Sequence, residues 1–270
     1  MIHRTAPASL AMLGAALALA LRPAPLQARD LAQVKAAGVV RAIVSLDEQP
    51  ERFNRQAQGD PGFEREMLEG FARLKRLRLE VVAVRTFSDR IPALLRGDGD
   101  VIIGLVDTAE RRKQIDFTDE VLPVRHVAVT HKPAAPVNSV EDLRKRKAGT
   151  IRGTTWARET LAAGVPESQV EYFSDTEPML QALAAGRVAV VVMTLSDFVL
   201  ATDRHPGLEG GVFVGEPAHA AWGLRKQDKE LKAELDAYIG NLRSGASWNR
   251  LIVTYFGEKA LSVLGRTTGR

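Results

Sequence analysis

Arg111 is a candidate anion-binding residue, both because of its guanidinium group and because of its position in the sequence. It follows a short apolar run at residues 101–103 that predicts a strand, and open parallel sheets bind their ligands beyond the carboxyl ends of such strands. A planar guanidinium can donate two parallel hydrogen bonds to a carboxylate. Arg112 and Lys113 are adjacent, so the alternative is a solvated basic turn. We favour anion binding for Arg111 and the solvated turn for its two neighbours.

Thr154 and Thr155 form a second candidate anion site. They follow Gly153 where an apolar run at residues 148–151 passes into a predicted helix. The first N–H groups of a helix lack partners inside it, and the helix dipole favours negative charge there. Taken alone, the Gly-Thr-Thr sequence is a weak signal. We expect these two threonines to contribute backbone N–H groups to an anion.

Other kinds of chemistry find little support in the sequence. The five histidines show no paired metal-ligand spacing, cysteine is absent, and no G-x-S-x-G, P-loop or G-x-G-x-x-G motif occurs. We therefore expect no metal and no cofactor. The densest basic run, residues 144–147, has no interleaved aromatic residues and suits the end of a short helix. We interpret it as a solvated surface, and we expect no nucleic-acid partner.

Length and composition indicate a globular protein of one large domain or two lobes. The chain has 270 residues, of which 45% are hydrophobic and 26% charged, and this balance argues against disorder. No glycine period or self-similar unit of repeat length occurs, which excludes repeat architectures. The formal net charge of +4 is smaller without the first 28 residues. These contain two arginines and no acid, so 35 basic side chains face 33 acidic ones in the remainder.

The first 28 residues have the layout of a secretory signal peptide. His3 and Arg4 precede an apolar run at residues 10–21, and a stretch of small residues leads to Ala28. The run is about half of the ~20 residues that a membrane-spanning helix needs. An uncleaved amphipathic anchor is the alternative, but the run has no polar stripe. We expect cleavage and a periplasmic protein, and without cysteine it is not a lipoprotein.

Strands and helices alternate after residue 28. Short apolar runs at residues 39–44, 79–84 and 101–103 predict strands, and apolar residues at helical spacing across 63–74 predict a helix. Asp89 is the predicted N-cap of a second helix over residues 91–96. Such a β-α-β-α-β series predicts a mostly parallel sheet that is covered on both faces.

A second unit of the same kind begins near the proline-rich connector at residues 133–136. It has predicted strands at 148–151, 170–173 and 188–193, and the chain then returns to the first unit through an extended run at 220–224. We divide the chain into a signal peptide (1–28), a first lobe (29–130 and 217–270) and a second lobe (131–216). Crossover strands are expected near residues 129–132 and 214–219.

Six segments together resemble the extracytoplasmic solute-binding protein family 3, and the resemblance spans nearly all of the chain after the signal peptide. Each segment is weak alone, but their order and spacing make a chance match improbable. The segments are GFERE (62–66), LLRG with GDV (94–101), TAERRK (108–113), IDFT (115–118), DL with GT (142–154) and WNR with YFG (248–257).

The resemblance implies the type II periplasmic binding protein fold, an α/β architecture. Each lobe would have a mostly parallel sheet flanked by helices, and the two crossover strands would form a hinge around a bound ligand. Arg111 would clamp the ligand carboxylate. Asp47 and Phe53 lie in the loop where the family contacts the distal part of its ligand, although Phe53 could equally fill the lobe surface.

Two residues depart from the pattern of the amino-acid binders in this family. Thr194 stands where these binders usually have an Asp that holds the ligand ammonium, and Val106 stands where a ligand-bonding Thr or Ser is common. An ammonium buried without a carboxylate is unfavourable. We therefore expect a carboxylate without an α-ammonium to bind better than an ordinary α-amino acid, unless Asp47 receives an amine elsewhere on the ligand.

Three classes of function are compatible with the sequence. The leading interpretation is a monomeric, non-enzymatic protein that delivers a small carboxylate solute to the membrane permease of an ABC importer. The second is a sensory or accessory domain, since the chain also resembles the non-catalytic domain of membrane-bound lytic transglycosylases and is expected to lack their catalytic domain. The third is an enzyme resembling cyclohexadienyl dehydratase, for which Asp47, Asp107 and Glu110 are candidate acids.

The signal-peptide interpretation predicts a processed chain. Intact-mass measurement on periplasmic material should give a mass that corresponds to a start near Arg29, because the preceding small residues suit signal peptidase. Recovery of the full-length chain in the inner membrane would contradict this prediction.

Overall fold

The computed structural model describes residues 29–46, 48–56 and 58–261. The signal-peptide prediction therefore lies outside the described residues. Nine strands belong to one mixed sheet. They are β1 Val39–Ser45, β2 Arg78–Val84, β3 Val101–Val106, β4 Asp116–Phe117, β5 Leu122–His131, β6 Ala148–Ile151, β7 Val170–Phe173, β8 Val190–Thr194 and β9 Leu208–Leu224.

The helices of the described residues lie on both sides of this sheet, with short 3₁₀ turns at Phe87–Asp89, Glu167–Gln169 and Glu258–Ala260. None of them is long and apolar enough to span a bilayer. They are α1 Leu31–Ala37, α2 Pro50–Phe53, α3 Phe63–Leu74, α4 Arg90–Arg96, α5 Ala109–Arg112, α6 Val140–Leu143, α7 Thr155–Ala162, α8 Thr176–Ala184, α9 Leu195–Thr202, α10 Lys229–Ser244 and α11 Ala246–Phe256.

The sheet has the order β2-β1-β3-β9-β5-β8-β6-β7, with β4 also paired to β9. At one end β1 pairs in parallel with β2 and β3, and at the other β6 pairs in parallel with β7 and β8. The two long strands β5 and β9 run antiparallel between these groups and pair with both. The two-lobed α/β fold expected from the sequence is confirmed, with the crossover strands joining both lobes into one sheet.

Each lobe has apolar clusters on both faces of its part of the sheet. In the first lobe, one cluster includes Phe63, Trp222 and Trp248, and another is built around Ile43 and Leu94. The second lobe has two further clusters of the same kind. Continuous apolar runs such as residues 190–193 are buried on both faces, as is expected for central parallel strands.

The pairing of β5 and β9 changes register between Val124 and His126. On β9 the interruption includes Gly215, whose φ of +68° lies in the region that favours glycine. The predicted crossover at residues 214–219 contains this interruption. The other predicted crossover, residues 129–132, does not coincide with the interruption. It follows the interruption along β5, where Val129 is paired with Val191 of β8. The division into lobes at residues 130 and 216 stays a prediction.

Asp89 is the N-cap residue of α4, as the sequence predicted, but its side chain makes no capping hydrogen bond to that helix. Its carboxylate instead accepts hydrogen bonds from the backbone N–H of Thr86, 3.0 Å away, and from the Thr86 hydroxyl, 2.9 Å away. This pairing closes the 3₁₀ turn before the helix. The predicted position is therefore confirmed, while the hydrogen bond expected of a capping Asp is made within the preceding turn.

Asp100 is a fully buried carboxylate that ties the start of β3 to three arginines. Arg41 lies 2.7 Å away, Arg29 lies 2.5 Å away and Arg225 approaches to 3.9 Å. Burial alone would raise the pKa of Asp100, but the hydrogen bonds from Arg41 and Arg29 outweigh it and lower the pKa. The ionised carboxylate therefore stabilises this lobe.

Replacement of Asp100 by Asn should lower the free energy of unfolding by about 3–5 kcal/mol at neutral pH, because it leaves buried guanidinium groups without a counter-charge. The lowered pKa means that this stabilisation is present above the usual Asp pKa of about 4 and is lost as pH falls through the folded-state value. Denaturant unfolding over a pH series would measure both effects. Asp98→Asn, which removes an Arg96 pair at the surface, is the control and should change stability by about 0.5 kcal/mol or less.

Candidate functional site

Two adjoining cavities lie between the lobes. The small cavity has a volume of about 70 Å³, and the large cavity has a volume of about 570 Å³. Both are lined by Phe87 of the first lobe and by Thr154 and Thr155 of the second. The carboxyl ends of β1, β3, β6 and β8 lead into this region, which is the position expected for ligands of open α/β sheets.

Arg111 lies in the wall of the large cavity, on the short helix α5 directly after β3. Its Nη1 donates a hydrogen bond to the carbonyl oxygen of Val106, 2.7 Å away in the same lobe. Its Nη2 donates to the carbonyl oxygen of Gly153, 3.2 Å away in the other lobe. The guanidinium carbon lies 5.2 Å from the centre of the Phe87 ring. These contacts fix a planar cation at the junction of the lobes.

The charge of Arg111 has no carboxylate partner among the residues that the structure describes. The side chain is largely buried. Burial, together with the nearby charges of Arg90 and Arg158, lowers the pKa of Arg111 to about 10, against a small opposing effect of Asp107. A group whose charged form is disfavoured in this way would be stabilised by an incoming anion.

Thr154 and Thr155 present the N-terminus of α7 to both cavities. The Thr154 hydroxyl caps the helix by accepting from the Ala157 N–H at 3.3 Å, and it donates to the Ile151 carbonyl at 2.6 Å. The Thr155 hydroxyl lies 2.8 Å from Nε2 of His126, whose pKa is lowered by burial. Both hydroxyls are therefore engaged, and the backbone N–H groups of the first turn remain suited to bind an anion.

Thr194 and Val106 both line the small cavity. Thr194 is the N-cap of α9, and its hydroxyl accepts from the Asp197 N–H at 3.2 Å and also donates to the Asp197 carboxylate. Asp197 itself lines the small cavity. We expected Thr194 to provide only a neutral hydroxyl group at this edge of the cleft. That expectation was wrong, because the carboxylate of Asp197, one helical turn after Thr194, lines the same cavity.

Arg52 on α2 connects Asp197 to the first lobe. Its guanidinium forms an ion pair with Asp197 across the cleft and donates to Glu64 at 2.7 Å within its own lobe. The other Glu64 oxygen accepts from the indole N–H of Trp222 at 2.9 Å. The Arg52 guanidinium thus lies between two carboxylates, one from each lobe.

Glu48 and Arg90 form a second buried pair beside Arg52. Burial raises the pKa of Glu48, although Arg90 and Arg52 oppose this shift. Arg90 also donates to the Ser45 hydroxyl at 3.1 Å. Gln49 is 5% exposed and lines the small cavity, and neither its amide nitrogen nor its amide oxygen has a hydrogen-bond partner among the described residues. A buried amide without partners is unfavourable, so Gln49 is a candidate to bind a neutral polar group.

Of the remaining predicted residues, Phe53 and Asp107 lie outside the lining of both cavities, and Glu110 lines the large one. Phe53 is completely buried in the core of the first lobe and lies outside the lining of both cavities. Asp47 lies outside the described residues. Of the candidate acids, Asp107 pairs with Arg112 and lies 3.0 Å from His219, and Glu110 is exposed and pairs with Lys113 at 2.6 Å.

Sequence reasoning missed Asp197, Arg52, Glu48 and Gln49. A signal for Asp197 was available, because a Thr followed three residues later by Asp, directly after an apolar strand, is a capping pattern that predicts a helix start. No periodicity or motif distinguishes Arg52 from the many other arginines of the chain. Its role depends on contacts with residues 12 and 145 positions away.

Gly62 holds α2, and with it Arg52, against the start of α3. Its φ of +80° and ψ of 154° are nearly restricted to glycine. A Cβ at this position would lie 2.4 Å from the carbonyl oxygen of Pro50 and 2.8 Å from the carbonyl carbon of Arg52. These are backbone atoms, so the contact cannot be relieved by a side-chain rotation.

Comparison with known proteins identifies relatives of two kinds. The family model for bacterial extracellular solute-binding proteins, family 3, matches residues 40–258. An L-arginine-binding protein of Pseudomonas aeruginosa is 32% identical over 186 residues, covering 63% of this chain and 70% of its own length. Membrane-bound lytic murein transglycosylase F of Stutzerimonas stutzeri is 23% identical over 243 residues, covering 87% of this chain. This chain spans about half (49%) of the length of that transglycosylase.

Solved structures agree with the family match. A mutant of ArgBP from T. maritima has a TM-score of 0.75 at 25% identity and covers 84% of this chain and 99% of its own. The ancestral amino acid-binding protein AncCDT-1, described as a precursor of cyclohexadienyl dehydratase, has a TM-score of 0.76 at 21% identity and covers 83% of this chain and 98% of its own. At 21% identity the second likeness shows the fold alone.

Replacement of Gly62 by Ala should destabilise the protein more than the same change at Gly257. Both glycines have nearly the same backbone angles, which cost a non-glycine residue about 1–3 kcal/mol. A Cβ at Gly257 would meet nothing within 4 Å, whereas the collision with α2 should add about 1–3 kcal/mol. Thermal unfolding of both variants measures the difference, and equal losses would contradict the packing argument.

Proposed function

Because the chain belongs to the bacterial extracellular solute-binding proteins, family 3, we propose that it captures a small carboxylate-bearing solute between its two lobes and delivers it to an ABC importer. In this proposal the protein acts as a monomer in the periplasm after removal of its signal peptide. The solute is of the size of an amino acid or an organic acid, and the importer's membrane permease is the partner.

The observation that carries this proposal is the guanidinium of Arg111, which has no carboxylate partner within residues 29–46, 48–56 and 58–261. It is buried at the junction of the lobes, its hydrogen bonds go to neutral carbonyl oxygens, and the N-terminus of α7 lies in the same wall of the large cavity. A carboxylate placed there would accept from the guanidinium and from helix N–H groups at once. It would also connect the two lobes, because Arg111 and α7 belong to different lobes.

The balance of charge in the large cavity supports an anionic ligand. Arg111, Arg152 and Arg158 line it together with a single carboxylate, that of Glu110. Glu110 pairs with Lys113 and Arg158 pairs with Glu159. Arg152 is stacked 3.6 Å from the centre of the Tyr172 ring, and no carboxylate of the described part of the chain pairs with it. The unbalanced charge in this cavity is therefore positive.

Two of the acids predicted for the dehydratase alternative are already paired with basic side chains. Asp107 pairs with Arg112 and lies outside the lining of both cavities. Glu110 is exposed beside Lys113. The L-arginine-binding relative also favours binding.

Arg111→Ala should lower the affinity for the bound carboxylate by roughly 30-fold or more, equivalent to about 2 kcal/mol, because the buried ligand anion would lose its charge partner. The probe is the compound that mass spectrometry identifies after its release from denatured purified protein, titrated by calorimetry. The control is Arg112→Ala, which removes a neighbouring arginine that pairs with Asp107 outside the cavity lining.

Arg112→Ala should leave affinity within about threefold of the wild type, since neither Arg112 nor Asp107 lines either cavity. Equal losses in both variants, or a released compound without an acidic group, would contradict the proposed function.

A further inference from the structure

Asp197 is a carboxylate inside the cleft whose charge is already balanced by the protein. One of its oxygens pairs with the guanidinium of Arg52, and the other accepts from the Thr194 hydroxyl. The side chains of Arg52 and Asp197 are 8% and 10% exposed. A carboxylate in such a cavity is the chemical partner that a ligand ammonium would need. In this protein the guanidinium of Arg52 pairs with the Asp197 carboxylate, at the position where a ligand ammonium would otherwise bind.

Arg52 is anchored by more than Asp197. It also donates to Glu64, which is 1% exposed and is held in turn by the indole of Trp222. Its Nε lies 3.7 Å from Glu48. If Arg52 moved aside for a ligand, Glu64 would lose its ionic partner in the core of the first lobe. Displacement of Arg52 by a ligand ammonium is therefore costly, and an ammonium beside Arg52 would meet a like charge.

The surplus of acidic groups around Arg52 does not require a cationic ligand. Glu48, Glu64 and Asp197 face the guanidinium groups of Arg52 and Arg90, which leaves one carboxylate in excess. Burial raises the pKa of Glu48, so the ionised form of this carboxyl group, which is the source of the excess charge, is disfavoured by the protein itself.

Gln49 provides hydrogen-bonding groups in the small cavity that a ligand could use. Both polar atoms of its buried amide lack partners in the part of the chain that the structure describes. The amide nitrogen can donate hydrogen bonds to a ligand, and the amide oxygen can accept them. An uncharged amide matches a hydroxyl or a carbonyl oxygen of a ligand. It provides no charge for an ammonium.

We propose that Arg52 is a specificity-determining residue that occupies the place of a ligand ammonium, so that the cleft selects small carboxylates whose other polar groups are neutral, such as hydroxy acids and oxo acids. This inference rests on the proposed function, in which Arg111 holds the ligand carboxylate. Gln49 then binds the neutral oxygen substituent.

Matched pairs of compounds test this selectivity directly. Calorimetry would compare alanine with lactate, glutamate with 2-hydroxyglutarate, and arginine with its 2-hydroxy analogue, so that each pair differs only in the ammonium. In the pair that binds the wild-type protein most tightly, the hydroxy acid should bind at least about tenfold tighter than the amino acid. A tighter amino acid in that pair would overturn the inference.

Removal of the Arg52 charge should reverse this preference. In Arg52→Gln, Asp197 is free to accept an ammonium, so the ratio of amino-acid to hydroxy-acid affinity should rise by about tenfold or more. In the double variant Arg52→Gln with Asp197→Asn, the ratio of amino-acid to hydroxy-acid affinity should return towards the wild-type value, because the free carboxylate is gone. An unchanged ratio in a folded Arg52→Gln protein would overturn the inference.

The matched control is Arg204→Gln, which removes another guanidinium that joins the lobes. Arg204 pairs with Glu51 at 2.8 Å, is 38% exposed and lies outside the lining of both cavities. The affinity ratio should stay within about threefold of the wild-type value. A shift as large as that of Arg52→Gln would assign the effect to the general interlobe charge and would overturn the role of Arg52.

Arg52→Gln removes a buried ionic partner and can fail to fold. In that case the single variant Asp197→Asn tests the inference. It removes the carboxylate in the cleft, while Arg52 keeps its ion pair with Glu64. If a ligand ammonium bound Asp197, this variant would lower the amino-acid to hydroxy-acid ratio by tenfold or more, which would overturn the inference. A ratio within about threefold of the wild type supports it.

The proposed function and this inference fail in different ways. A tightly bound amino acid that depends on both Arg111 and Asp197 would leave the proposed function intact and overturn the role of Arg52. Binding of the tightest compound that is insensitive to Arg111→Ala would overturn the proposed function itself.

Discussion

An ion that leaves water for a protein interior loses several kcal/mol of hydration unless a partner of opposite charge replaces it. In the cleft of this protein, two buried arginines differ in whether they have such a partner. Arg52 is surrounded by carboxylates of both lobes. Arg111 is also enclosed by the two lobes, but its acceptors in the described part of the chain are neutral carbonyl oxygens. This difference in pairing is the reason why the proposed ligand site is placed at Arg111 and not at Arg52.

The sheet places these charges at fixed positions. Arg111 follows β3 on one lobe and α7 follows β6 on the other, while β5 and β9 keep both lobes in one hydrogen-bonded ladder. The candidate ligand-binding side chains can therefore be close across the cleft although they are far apart along the chain. The backbone carbonyls that hold Arg111 lie at the ends of these elements, so its orientation depends on the fold more than on neighbouring side chains.

How much the sequence predicts depends on the range of the interaction. Residues 148–151 and 170–173 were predicted as strands with the observed limits, because their apolar runs are local and are bounded by turn residues. The place of Arg111 at the end of a strand was predictable for the same reason. The Arg52 pairs with Glu64 and Asp197 were not, since an ion pair between distant residues leaves no periodic pattern. Phe53 shows the same limit, because an aromatic side chain in a loop gives no sign of whether it faces core or ligand.

The way the chain returns to the first lobe has a consequence for how the protein reaches its native state. The second-lobe strands β6, β7 and β8 all lie within residues 148–194, and β3 of the first lobe pairs with β9, whose partners begin at Ala220. The first-lobe core also needs Trp222, Leu231 and Trp248. Contacts of such large sequence separation form slowly. The first lobe therefore cannot close its core until these late residues have joined it, and until then its early strands remain accessible to chaperones and proteases.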